Sequence, residues 1–145
     1  MVDVPKLLEV NELEVFDHER RPEIDALWKR IDSLADVPNG WLDGEGLAPS
    51  PETLARVREV LARLLADHHE IPRPKVFPTP EGGLQAEWVF DRVSADACFQ
   101  RDGLVVCSAV STEHEGALDA TFEEREVTRF DATPLAEWLV KARSL

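Results

Sequence analysis

The chain contains no tyrosine and only two cysteines, and its 16 basic residues are outnumbered by 29 acidic ones. It also lacks Gly-x-Ser-x-Gly, a phosphate-cradling glycine loop ending in Lys-Ser or Lys-Thr, and His-Glu-x-x-His. Without these, an activated nucleophile, a nucleotide cradle and a helix-borne zinc pair have no support. The Gly82-Gly83 pair precedes a strand rather than opening a helix, so it offers no helix N-terminus to a phosphate. No catalytic residue and no cofactor is therefore expected. Cys98 and Cys107 lack the Cys-x-x-Cys spacing of thiolate zinc ligands. No apolar run reaches the roughly 18 residues of a membrane span. The N-terminus carries acids where a secretory leader needs bases, so a cytoplasmic protein without a membrane partner is expected.

A formal charge of −13 opposes broad attraction to phosphate backbones or anionic lipid, and nucleic acid is not expected as a direct partner. The excess is uneven. Glu113, Glu115, Asp119, Glu123, Glu124 and Glu126 face Arg125 alone within one short stretch. Besides conferring solubility, such a stretch is a candidate face for a protein with a basic surface.

What is present describes one small domain. A chain of 145 residues, 43% apolar, supports one hydrophobic core. Residues 1–21 mix short apolar runs with acids, Leu13 and Val15 alternating as in a strand, and are expected as an extended or flexible arm. Pro22 opens a helix whose Ile24, Leu27, Trp28, Ile31 and Leu34 share a face, and Pro38-Asn39-Gly40 ends it. Ser50-Pro51-Glu52 reads as N-cap, first helical residue and dipole-matched acid. Leu54, Val57, Val60, Leu61, Leu64 and Leu65 follow as a continuous stripe. The run Ile71 to Pro80 is too rich in proline for a helix or a central strand.

From Gly82 the period changes to two. Leu84, Ala86, Trp88 and Phe90 alternate with polar neighbours, then Val93, Ala95, Ala97 and Phe99. A tight turn at Asp91-Arg92 sets Trp88 against Ala95, Ala86 against Ala97 and Leu84 against Phe99, so large residues meet small ones. Asp102-Gly103 reads as a two-residue hairpin turn, which places Phe99 opposite Val106 and Cys98 opposite Cys107. A third strand through Val110, a fourth through Leu118, Ala120 and Phe122, and a helix capped by Thr133-Pro134 complete the chain. The expected fold is α+β: two N-terminal helices, a four-stranded antiparallel meander and a C-terminal helix packed on the sheet.

Three constellations could carry chemistry. Asp43 and Glu45 in the loop Trp41-Leu-Asp-Gly-Glu-Gly-Leu-Ala-Pro-Ser-Pro51 could coordinate a hard cation, although the oxygen series of an EF-hand is missing. The competing reading is a turn whose glycines take conformations closed to other residues, with Trp41 and Leu47 tucked onto the core. His68 and His69 point about 100° apart on a helix, so a metal needs one of them beside Asp43, Glu45, His18 or His114. The Cys98 and Cys107 pair, if directly opposite, has the separation of a cross-strand disulfide or redox switch; the reducing default is two free thiols. The same registers put Glu87 opposite Asp96 on the outer sheet face, a like-charge pair whose two acids either diverge into water or are compensated by a nearby arginine, a cation or a basic partner.

Gly40-Trp-Leu-Asp-Gly-Glu-Gly46, the proline-capped helix, and Thr79-Pro-Glu-Gly-Gly-Leu-Gln-Ala-Glu-Trp88 resemble a group of short, largely uncharacterised bacterial proteins. That group shares a Trp-Asp-Gly-Glu-Gly loop and a Thr-Pro-x-Gly-Gly-x-x-x-Glu-Trp strand opening. Leu42 interrupts the Trp-Asp step here. The resemblance implies no activity, only that loop and strand opening pack as one unit near Trp41 and Trp88. The leading expectation is a non-enzymatic protein-binding module, such as an acidic inhibitor, an antitoxin or immunity protein, or a small subunit of a complex. The alternatives are a metal-dependent enzyme or metal-binding site at the Asp43 and Glu45 loop, with His68 or His69, and a subunit that self-assembles through its sheet.

Overall fold

A computed structural model describes residues 20–113 and 116–145. The expectations for the N-terminal arm, and those for His18, His114 and Glu115, fall on residues outside this range. Helix α1 covers residues 20–33 and tightens into a 3-10 turn, Leu34–Asp36. Helix α2 is Pro51–Asp67 and α3 is Thr133–Arg143. Between α2 and α3 lie β1 Lys75–Pro78, β2 Leu84–Phe90, β3 Val93–Phe99, β4 Val105–Ser111 and β5 Ala117–Phe122, an antiparallel sheet in sequential order. The fold is α+β, with five strands rather than four.

The additional strand is β1, inside the proline-rich run. Pro74 precedes it and Pro78 ends it, so the amides of the three residues between them stay available for pairing with β2. Proline is tolerated at a sheet edge, where one side of the strand pairs with nothing. Arg30 Nε donates to Val76 O at 3.0 Å, which occupies part of the β1 main chain.

Both helix starts follow from local chemistry. Ser50 Oγ accepts from Thr53 N at 3.1 Å and Pro51 opens α2. In α3 the capping oxygen belongs to Asp131, which accepts from Thr133 N at 2.9 Å; Thr133 is inside the helix instead of capping it. That bond, to the main chain first, holds the Asp131 carboxyl below its ordinary titration range. The core is one cluster in which Leu27, Ile31 and Leu34, the α2 stripe, and Leu135, Leu139 and Ala142 lie on the inner face of the sheet around Trp88 and Phe99. Trp88 Nε1 donates to Pro72 O at 2.8 Å, so its one polar atom is satisfied within the crossover.

The β2–β3 register is as expected, with Trp88 beside Ala95, Ala86 beside Ala97 and Leu84 beside Phe99. The β3–β4 register differs by one residue. Phe99 faces Val105, Cys98 faces Val106, and Cys107 faces Ala97. The turn spans three residues: Gln100 N donates to Leu104 O, Gly103 N donates to Gln100 O, and Gly103 adopts φ +95. Asp102 has no positive φ; its carboxylate instead accepts from Leu104 N at 3.0 Å. A type I turn followed by a left-handed glycine is the three-residue hairpin solution, and it displaced the two-residue one. One step of slip moves every β4 side chain to the other face.

The turn before β2 admits little variation. Thr79 Oγ1 accepts from Gly83 N at 2.9 Å. A Cβ on Gly83 would lie 2.4 Å from Phe99 O, a main-chain atom that cannot swing aside. We expect Gly83→Ala to lower the unfolding free energy by about 1–3 kcal/mol, read from urea denaturation; an unchanged midpoint would contradict this packing.

Candidate functional site

The loop ahead of α2 is a miniature hairpin. Leu42 and Glu45 exchange main-chain hydrogen bonds at 2.8 and 2.9 Å around Asp43 (φ 50) and Gly44 (φ 92). This is the two-residue turn with positive φ at both centres. Gly40 N donates to Gly46 O, and Trp41 Nε1 donates to Leu47 O at 2.9 Å. Trp41 is only half-buried and Leu47 is exposed, so the expected docking of both onto the core is corrected: Trp41 closes its own loop over Gly46. The loop is stitched to the turn before β2, since Leu47 N donates to Pro80 O at 2.8 Å and Ser50 N donates to Gly82 O. Loop and strand opening do form one unit.

Asp43 and Glu45 are exposed at the N-terminal end of α2. His68 and His69 follow its C-terminal residue, Asp67. At about 1.5 Å per residue the helix separates its ends by roughly 25 Å. The structure therefore does not gather these four residues. Among the described residues no three of His, Cys, Asp and Glu group as metal ligands. His68 Nδ1 lies 3.8 Å from Glu70, and His69 O accepts from Arg20.

The acidic stretch is likewise divided. Glu113 pairs with Arg92 beyond the end of β4. Glu123 pairs with Arg125 at 2.8 Å, Glu126 accepts from Glu123 N, and Glu124 lies against Gly103, all beyond the other end of β5. A six-residue strand spans roughly 20 Å, so these acids do not share one patch. Asp119 alone is within β5, directed outward.

The outer face of the sheet brings carboxylates together from strands that are distant in sequence. Across the ladder run Lys75, Glu87, Asp96, Ser108 and Asp119, each opposite the next. The expected Glu87 and Asp96 opposition is present, and Asp119 extends it. Lys75 occupies the cross-strand position beside Glu87, the one cation in the row. Burial first, then the charges of Glu87 and Asp119, raise the Asp96 pKa above the usual carboxylate range. Flanking the row are exposed apolar side chains: Phe77 on one side, Val89 (67% exposed) and Val110 (48%) on the other. No described helix covers this face.

Cys98 is half-buried on the outer face and Cys107 is buried on the inner one, so they are not the opposed pair that a disulfide or redox switch requires. Burial, then Glu81, Asp96 and Asp102, raises the Cys98 pKa, and burial pushes Cys107 up to about 12. Sequence reasoning also missed Arg56, whose guanidinium lies under the β3–β4 turn, 6.0 Å from the Phe99 ring centroid. Its place in the polar half of α2 looked like that of any solvated helix residue.

No family profile matches this chain, and neither a curated protein nor a solved structure matches it significantly.

Two measurements test this geometry. Because Asp96 titrates higher folded than unfolded, the folded chain binds that proton more tightly. Charged Asp96 therefore costs stability above its folded pKa, and the cost fades as pH falls through that value. Asp96→Asn should stabilise the protein at pH 7 by about 0.5 kcal/mol, with a smaller gain at acid pH; destabilisation at pH 7 would show the carboxylate to be satisfied. Iodoacetamide should modify Cys98 slowly and leave Cys107 untouched until denaturant is added. Formation of an intramolecular disulfide under mild oxidation would require the other register.

Proposed function

We propose that this protein is a non-enzymatic binding module that takes a basic protein segment on the open face of its sheet. It would act as an inhibitor, an antitoxin or immunity protein, or a small subunit does. The observation that carries this reading is the row Glu87, Asp96 and Asp119: Glu87 directly opposite Asp96, and Asp119 one strand further on across Ser108, with Lys75 at one end and exposed apolar side chains on both flanks. Like-charge neighbours are unfavourable in the free protein and become favourable against a cationic partner. Apolar flanks supply the desolvated contacts that charge alone does not.

The occupant's charge follows from the same row. A second copy laid face to face would oppose carboxylates with carboxylates across a twofold axis, which weighs against self-assembly through this face. Residues 1–19 carry Asp3, Glu9, Glu12, Glu14, Asp17 and Glu19 against Lys6, so they offer no complement either. A metal site at Asp43 and Glu45 has no further ligand from the described histidines, His68 and His69.

The test is a titration of the labelled protein with a peptide alternating arginine and valine. Shifts should concentrate on outer-face amides of β2–β5, weaken as salt rises, and weaken in Asp96→Asn, a variant that is itself more stable. Reversal of Glu123, Glu124 and Glu126 should matter less than loss of the row. Shifts confined to the loop beyond β5, or none at all, would refute the sheet-face reading. Binding unaffected by Asp96→Asn and Asp119→Asn would refute the role of the row.

A further inference from the structure

On the helix side of the molecule, away from the open sheet face, the first turns of α2, the Arg101–Gly103 turn and the loop after β5 enclose a cleft of about 390 Å³. Arg56, Gln100, Glu124, Val127, Thr128 and Phe130 contribute to its wall. Arg56 Nη1 and Nη2 are both buried and, among the described residues, neither has a hydrogen-bond partner. Other guanidiniums are engaged: Arg63 donates to Arg129 O, Arg129 pairs with Glu59, and Arg58 pairs with Asp32. Arg56 as a whole is half-buried, and its guanidinium lies over the Phe99 ring at 6.0 Å, a contact that leaves the hydrogen-bonding capacity of the two Nη atoms unused. Glu124 and Asp102 act on it only through their field, without contact. Phe130, 73% exposed, stands at the same cleft, a large apolar side chain left in solvent.

We propose that this cleft binds a small carboxylate attached to an apolar body, its two oxygens accepting hydrogen bonds from Arg56 Nη1 and Nη2 and its apolar part lying against Phe130. The planar fork of a guanidinium matches the two oxygens of a carboxylate. A monoanion is favoured over a phosphate because Glu124 and Asp102 stand close by and repel a second negative charge. The volume is that of a small-ligand site. Since both nitrogens are closed to solvent in the free protein, binding includes a swing of exposed side chains at the cleft, Glu124 and Phe130 among them. Glu124 is then the internal competitor for Arg56, and its removal strengthens binding. Arg56 replaced by an apolar side chain of similar length keeps the fold, because the substitution removes no hydrogen bond of the Nη atoms and retains an apolar stem against Phe99.

The proposal is tested by titrating the full-length labelled protein with phenylacetate, with its uncharged amide phenylacetamide, and with the peptide acid acetyl-Ala-Ala-Phe. Expected are saturable shifts at Gly103, Thr128 and Phe130 with one or both acids and none with the amide, abolished in Arg56→Met and tighter in Glu124→Gln. Tighter binding of the peptide acid would assign the carboxylate to a chain terminus, and tighter binding of phenylacetate to a free small molecule. A thermal transition of Arg56→Met at or above that of the parent separates lost binding from lost fold. Should that variant not fold, Glu124→Gln decides alone, through tightening. Absence of saturable shifts with either acid, equal shifts from the amide, binding that survives Arg56→Met in folded protein, or binding unchanged or weakened in Glu124→Gln overturns the proposal.

Discussion

The turn Arg101–Gly103 sets which face every side chain of β4 and β5 occupies, because an antiparallel ladder repeats every two residues and admits no half-step. With Gly103 left-handed and the Asp102 carboxylate on Leu104 N, Val105, Cys107 and Ala109 go inward and Val106, Ser108 and Val110 go outward. β5 inherits that choice through its pairing with β4, which is why Leu118, Ala120 and Phe122 reach the core and Asp119 comes into line with Asp96. The acidic row thus has its origin in a short turn at the end of the sheet. The same turn, with Glu124 against Gly103, also forms one wall of the Arg56 cleft.

A second regularity explains why so acidic a chain keeps few cations on its open face. Arg20, Arg30, Arg63, Arg73 and Arg143 each donate to a main-chain carbonyl of another segment. Arg20 reaches Leu65 O, one of the last carbonyls of α2, so the cation both satisfies an orphan acceptor and matches the negative end of the helix, and it also reaches Ile71 O in the crossover beyond. Arg143 reaches Glu70 O in the same crossover. These arginines hold the crossover and the loops against the helices. Spent as tethers there, they leave the outer sheet face to Glu87, Asp96, Asp119 and the lone Lys75.

Much of this architecture could be read from period and capping chemistry. The α2 stripe, the β2–β3 register and the buried side of α3 came from spacings that a single alignment of faces satisfies. β1 was hidden because proline density argues against strands in general, while an edge strand needs only the few free amides between Pro74 and Pro78. The Cys98 and Cys107 pairing failed because Asp-Gly serves two hairpin geometries, and only the side chain of Asp102, satisfied locally on Leu104 N, decides between them. In the Trp41–Pro51 loop, where a ligand pair and a glycine turn competed, Asp43-Gly44 is the dipeptide that adopts the two-residue turn. As for the site, the Glu87 and Asp96 opposition was visible once the strands were aligned. Asp119 was seen as part of a linear acidic stretch, whereas the fold separates it from Glu113 and Glu123–Glu126 and joins it to acids from two other strands. Linear charge density is a poor guide to surface charge when a strand sends alternate residues to opposite faces.

The open face also makes sense as a compromise between stability and recognition. Ladder geometry fixes Glu87, Asp96 and Ser108 as immediate neighbours, so the repulsion cannot relax by rotation of the main chain; it relaxes only through longer side chains, proton uptake or an incoming cation. Asp96 is poorly able to use the first route, being shorter than Glu87 and half-buried between two strands, and its pKa is raised. A face meant only to be wet would be as well served by serine or threonine, which several of its neighbours already are: Ser94, Ser108 and Thr121. Carboxylates at these positions add a cost in the free protein that a cationic, partly apolar partner would return on binding. The proposed role of this face in binding rests on that difference between the free protein and one paired with a cation.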